Sequence, residues 1–209
     1  MDIFEELVKT YPALSGCLGE IQAAAGALVD AYRAGGKLLV CGNGGSGADA
    51  EHIVGELMKQ FILPRPLSRE EQERLRAVDP LGVHLAEHLQ GALPAIPLTG
   101  NIALSTAYAN DAEPELVFAQ QVWGYGRPGD VLLAISTSGS SRNVCAAIVA
   151  ARARDMTVIG LTGSRKGSMN GLCHICIQAP SAVTYQVQEY HLPIYHALCR
   201  YVEAEIFGK

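Results

Sequence analysis

The stretch Lys37–Leu57, KLLVCGNGGSGADAEHIVGEL, runs from an apolar segment through a cluster of glycines into a helical pattern. Leu38, Leu39, Val40 and Cys41 form a continuous apolar run, as expected of a strand buried on both faces. The glycines that follow let the backbone turn sharply and approach a ligand closely. Ser46 is placed to cap the helix that begins there. A buried strand, a glycine turn and a helix form the repeating unit of parallel α/β sheets, which bind ligands beyond the carboxyl ends of their strands.

Working outward, four further short apolar runs read as strands: AIPLT, DVLLAIS, TVIGLTG and CHICIQA. Helical patterns cover residues 3–34, with a break or kink at Pro12, and then 101–109, 113–125, 140–154 and 182–207. This alternation predicts an α/β three-layer sandwich with a central five-stranded parallel sheet flanked by helices. All 209 residues fit one domain. Residues 66–93 break the pattern: they are charged, open with the capping-box pair Ser68 and Glu71, and are interrupted by Pro80. They are expected to form a helical insertion on the surface.

The net charge of −5 gives no electrostatic reason to expect nucleic acid or a membrane surface as partner. No apolar run reaches the length that crosses a bilayer, and the acidic start MDIFEELVKTYP is unlike a secretory signal, so a cytoplasmic location is expected. Four of the six cysteines sit singly among apolar neighbours, as buried thiols do. Cys173 and Cys176 form a C-x-x-C, but in a strand residues three apart point to opposite faces, which argues against a redox or zinc pair.

A second glycine- and hydroxyl-rich loop, STSGSSRN, follows the strand VLLAI. Ser136, Thr137, Ser138 and Ser141 offer neutral donors beside a helix N-terminus, which suits a monophosphate ester. Neither loop has the spacing of a nucleotide triphosphate or dinucleotide cradle. His52 and Glu56 lie one turn apart on one helical face, and Gln188 and His196 lie about two turns apart on the last helix. His191 is rotated away from Gln188 and reads as a structural or interface residue. His84 and His88 in HLAEH share the His52/Glu56 spacing, although their charged surroundings favour a solvated face.

Taken together, GNGGSGADAEHIVGEL, AYAND, GDVLLAISTSGSSRNV, LTG and QEYHLPIYH resemble the sugar isomerase (SIS) family, and within it the phosphoheptose isomerases. The resemblance spans nearly the whole chain apart from the insertion. It implies a flavodoxin-like SIS domain that converts sedoheptulose 7-phosphate to D-glycero-D-manno-heptose 7-phosphate through an enediol or enediolate. Ser136, Thr137, Ser138 and Ser141 would then hold the sugar phosphate, while Asn43, Gly44, Ser46 and Asp111, with Gln188, would contact substrate. His52, Glu56, Gln188 and His196 match the family's ligand positions for one zinc ion (Zn2+) per active site. Glu56 and His196 match its general base and acid. A homotetramer with active sites between subunits is also implied. Two positions depart from the pattern: Gln60 replaces an arginine, and Tyr185 stands where relatives often carry an aspartate. Rival readings are a noncatalytic SIS protein that binds a replication initiator, a sugar-phosphate sensor, and an isomerase of another phosphosugar. The initiator-binding proteins lack the histidine matching His196, so its presence favours the enzyme.

Overall fold

The structure is a computed structural model that describes residues 2–208. Five strands, β1 (Leu38–Gly42), β2 (Ala95–Pro97), β3 (Val131–Ile135), β4 (Thr157–Thr162) and β5 (Ile175–Gln178), form one sheet. Their order is β2-β1-β3-β4-β5 and every pairing is parallel, so the expected sheet is present with all five strands where the apolar runs lie. Ten α-helices are described: α1 (Ile3–Thr10), α2 (Leu18–Arg33), α3 (Gly45–Met58), α4 (Arg69–Val78), α5 (Leu81–His88), α6 (Ile102–Asp111), α7 (Val117–Tyr125), α8 (Arg142–Ala153), α9 (Met169–Leu172) and α10 (Thr184–Phe207). The long first helix of the sequence reading is split by a 3-10 segment, Pro12–Cys17, because Pro12 cannot continue the hydrogen-bond ladder.

The strand side chains alternate between two cores. Leu38, Val40, Leu133, Ile135, Ile159 and Leu161 pack with α1, α2, α3 and α10. Leu39, Cys41, Leu132, Ala134 and Val158 pack with α7, α8 and Met169 of α9. Each buried Leu or Val contributes about 1.5–3 kcal/mol over an exposed one, so strands buried on both faces need no polar alternation.

The chain leaves β1 towards the edge strand β2 and then returns to β3 on the other side. The carboxyl ends of β1 and β3 therefore flank the point where strand order reverses, and a crevice opens there.

Helices α4 and α5 occupy the 66–93 segment. The α4 helix opens on a complete Ser68/Glu71 capping box and buries no residue. At the base of the pair, Pro66 and Gln90 form an antiparallel bridge, and the Gly91 N–H donates to the Arg65 carbonyl at 2.7 Å. At the far end Val78 and Leu81 are exposed.

Two sequence expectations require correction. Ser46 does not cap α3: Gly44 holds the N-cap position at φ 54°, and Ser46 is buried within the first turn. A loop that turns through a positive φ favours glycine at the cap, and the helix starts one residue before the serine. Cys173 and Cys176 do not face apart. Cys173 follows the last residue of α9, outside the strand, so strand periodicity does not govern it. Both sulfurs converge on Gly160, where a Cβ would lie 2.7 Å from the Cys173 Sγ and 3.4 Å from the Cys176 Sγ.

Candidate active site

The crevice between β1 and β3 is built from both loops. Asn43 and Asn143 exchange reciprocal amide hydrogen bonds across it, at 2.9 and 2.8 Å. A cleft of about 460 Å³ opens beside this pair, lined by Asn43, Gly44, Glu51, Thr99, Ser105 and Asn143 among others. On the β3 side, the buried Ser136 Oγ lies 2.9 Å from the Ser141 Oγ and 3.4 Å from the Ser138 Oγ. Ser141 is the N-cap residue of α8, yet its hydroxyl makes no capping hydrogen bond and turns to Ser136 instead. Three hydroxyls thus gather at a helix N-terminus, an arrangement that favours an anion. The Thr137 carbonyl accepts from the Gly163 N–H, which ties this loop to the end of β4.

A second group lies farther along α3 and α10. The His52 Nε2 is 3.2 Å from the Glu56 Oε1, and Lys59 donates to the Glu56 Oε2 at 2.9 Å. Burial pushes the Glu56 carboxyl up, but Lys59 and His52 together outweigh it and hold it below the usual range. The His52 and His196 rings stand edge-on with centroids 5.1 Å apart, and Phe61 packs on His196 at 5.5 Å. Burial, aided by His52, lowers the His196 pKa. Its Nε2 is buried without a hydrogen-bond partner. His196 also lines a cavity of about 260 Å³ with Leu7, Tyr11, Phe61, Leu192 and Arg200.

The structure therefore brings His52, Glu56 and His196 together, and separately Ser136, Ser138 and Ser141. Thr137 is in the serine loop, and Asn43 and Gly44 line the crevice. Gln188 lies against Gly45 at the start of α3, where a side chain on Gly45 would collide with its amide. It is about two turns of α10 above His196. Asp111 ends α6, exposed, and accepts from the Asn110 amide at 2.8 Å. No hydrogen bond among the described residues joins the serine loop to the His52 group. Nor do three His, Cys, Asp or Glu side chains there form a ready-made cation cluster. In α5, His84 and His88 stack at 4.0 Å, and the His88 Nδ1 is 2.8 Å from the His84 carbonyl.

Several site residues escaped the sequence reading. Asn143 was visible in STSGSSRN, but its partner lies a hundred positions away. Tyr195, 1% exposed, places its hydroxyl 3.0 Å from the His52 Nδ1 and donates to the Asp49 Oδ1 at 3.3 Å. Glu203 accepts from the Phe61, Ile62 and Leu63 N–H groups and from the Arg65 Nε, which fixes the segment that carries Phe61. Gln60, by contrast, uses its own N–H to donate to Gln90.

Comparison with known proteins adds a family to this geometry. The SIS domain family matches residues 15–77 and 81–163. The phosphoheptose isomerase of Rhodospirillum rubrum is 41% identical over 91% of this chain and 88% of its own. That of Akkermansia muciniphila is 36% identical over 97% and 94%. Among solved structures, a phosphoheptose isomerase from Francisella tularensis superposes with a TM-score of 0.76 at 33% identity, covering 95% of this chain and 93% of that one. The Neisseria gonorrhoeae phosphoheptose isomerase gives 0.74 at 32%, covering 96% and 95%.

Proposed function

Because the chain belongs to the SIS domain family and, within it, to the phosphoheptose isomerases, we propose that it interconverts sedoheptulose 7-phosphate and D-glycero-D-manno-heptose 7-phosphate. The reaction is an aldose–ketose isomerisation, which moves a proton between C1 and C2 through an enediol or enediolate. The observation that carries this reading is the likeness to phosphoheptose isomerases over nearly the full length of both chains.

The chain's own residues divide the work. Ser136, Thr137, Ser138 and Ser141 hold the phosphate, and this remote binding energy fixes the sugar. Asn43, Gly44, Ser46 and Asp111 contact substrate, as does Gln188. Glu56, kept ionised by Lys59 and His52, takes the proton from carbon. His196 is held towards its neutral form, so its ring can carry a proton between the two sugar oxygens.

A zinc ion belongs to the same reading. The donor set fits it in kind: an unpartnered imidazole Nε2, a carboxylate and a second imidazole lie side by side, and the Gln188 amide is the fourth candidate. When bound, zinc supplies Lewis-acid stabilisation of the negative charge that develops on oxygen.

The reading extends to a cytoplasmic homotetramer with active sites between subunits. No helix among the described residues is long and apolar enough to cross a membrane. The deciding experiment is turnover of a panel of ketose phosphates by zinc-loaded protein. Aldose should form from sedoheptulose 7-phosphate. Binding without turnover would point to a sensor, and preference for another ketose phosphate would reassign the substrate.

A further inference from the structure

The Tyr195 hydroxyl has one proton and lies between two partners. It donates to the Asp49 Oδ1 at 3.3 Å, and its oxygen is 3.0 Å from the His52 Nδ1. A carboxylate only accepts, so the tyrosine proton points to Asp49 and the tyrosine oxygen must accept from His52. In the neutral ring that leaves the proton on Nδ1 and a lone pair on Nε2. The lone pair faces the Glu56 Oε1, another acceptor, at 3.2 Å. Two facing acceptors are satisfied only by a cation between them, either a second ring proton or a metal ion. Donors bound to one tetrahedral zinc at about 2.0–2.2 Å stand roughly 3.3–3.5 Å apart, close to the separation observed. Tyr195 is fully buried, and its ring meets His52 and His196 edge-on with centroids 5.4 and 5.0 Å away, so the hydroxyl is held in place.

We propose that Asp49 and Tyr195 are positioning residues that fix the His52 ring with its proton on Nδ1 and present Nε2 to a divalent cation shared with Glu56. The inference rests on His52 being a metal ligand, as read above. Neither residue touches substrate: Tyr195 acts through His52, and Asp49 acts through Tyr195. Outer hydrogen bonds of this kind orient metal-binding imidazoles and typically change metal affinity about 10–100-fold when removed.

The test uses the full chain as wild type, Tyr195→Phe and Asp49→Asn. Tyr195→Phe keeps the ring and its packing, and thermal unfolding establishes that each variant is folded. Zinc affinity is measured by competition with a chromogenic chelator. The His52 tautomer is read from 15N shifts of the ring nitrogens, in zinc-loaded protein and in metal-free protein at a pH where the ring is neutral. Tyr195→Phe should bind zinc about 10–100-fold more weakly and lose the preference for a protonated Nδ1. Asp49→Asn, whose amide can donate to the tyrosine oxygen, should shift both readouts in the same direction. Unchanged affinity with an unchanged Nδ1 signal in a folded Tyr195→Phe protein would overturn the proposal. If the wild type takes up no zinc, the metal reading of His52 fails. The relay then stands only if the metal-free wild type shows a protonated Nδ1 that Tyr195→Phe loses.

Discussion

Glu56 sits between a histidine and a lysine, and the pair decides its charge. Lys59 is the larger of the two neighbours that lower its pKa against the effect of burial, so at neutral pH it is a carboxylate ready to accept a proton. Glu56→Gln keeps the shape and removes the base. We expect kcat with sedoheptulose 7-phosphate to fall about 100–10,000-fold while the unfolding temperature changes little; a variant within a few-fold of wild type would exclude Glu56 as the base. Ser141 allows a sharper separation of binding from stability. Its hydroxyl faces Ser136 and makes no cap on α8, so Ser141→Ala should cost the fold little. Losing one donor to a phosphate should raise KM by roughly 3–10-fold. A loss near 1 kcal/mol of stability with unchanged KM would instead identify a helix cap. At this scale the sequence told part of the story. The i, i+4 spacing placed His52 and Glu56 on one face, because helical geometry is local. Tyr195 and Asn143 were not readable as site residues, since each acquires its role from a partner more than 90 positions away, brought close only by the sheet.

Between α3 and α4 the chain depends on one buried ion pair. Arg65 and Glu203 have side-chain exposures of 0% and 1%, and Arg65 also donates to the Leu57 carbonyl at 2.7 Å. Burial raises the Glu203 carboxyl, but the N–H groups of Phe61, Ile62 and Leu63, with Arg65, outweigh it and keep the group ionised. Removing one partner leaves a buried charge alone. Glu203→Gln should therefore cost about 3–5 kcal/mol in urea unfolding. Replacing Arg65 and Glu203 together by Met and Leu should cost less than either single change, apart from the N–H groups left unpaired. Additive losses would show that the two side chains act independently. The same segment carries Phe61 onto His196, so Glu203→Gln should also disturb activity more than its distance from the serine loop suggests. Elements were the most legible level. Strands buried on both faces announce themselves as apolar runs, and the capping box marked the start of α4 correctly. The failures were local: α9 is a single turn of four residues, too short for any periodicity, and it moved Cys173 out of the strand that the C-x-x-C reading assumed. The α3 cap shifted because Gly44 adopts a positive φ that no residue pattern alone specifies.

At the scale of the whole molecule, the sheet divides the interior into two apolar cores, and α10 packs along one of them with a histidine inside it. His191 is fully buried, its Nε2 lies 3.4 Å from the Thr162 carbonyl, and its Nδ1 has no partner. Burial pushes its pKa down to about 4, against a small opposing effect of the carbonyl. Once the chain unfolds, the imidazole regains an ordinary pKa near 6.5. Below that pH the unfolded chain binds a proton that the native fold refuses, so stability is complete above pH 6.5 and declines as pH falls towards 4. Each pH unit in this window costs roughly 1.4 kcal/mol, about 3 kcal/mol across all of it, a large share of the net stability of an ordinary domain. Carboxylates titrate nearby, so a single acid transition would not isolate His191. The comparison that does is the unfolding free energy of wild type and His191→Gln at pH 7.5 and at pH 4.5. The variant should begin less stable, because glutamine must fit the same buried site, yet lose about 2–3 kcal/mol less than wild type between the two conditions. Equal losses would mean that the imidazole is protonated in the fold. The Thr162 carbonyl, at the end of β4 beside the loop that holds Thr137, would then be accepting from a charged ring.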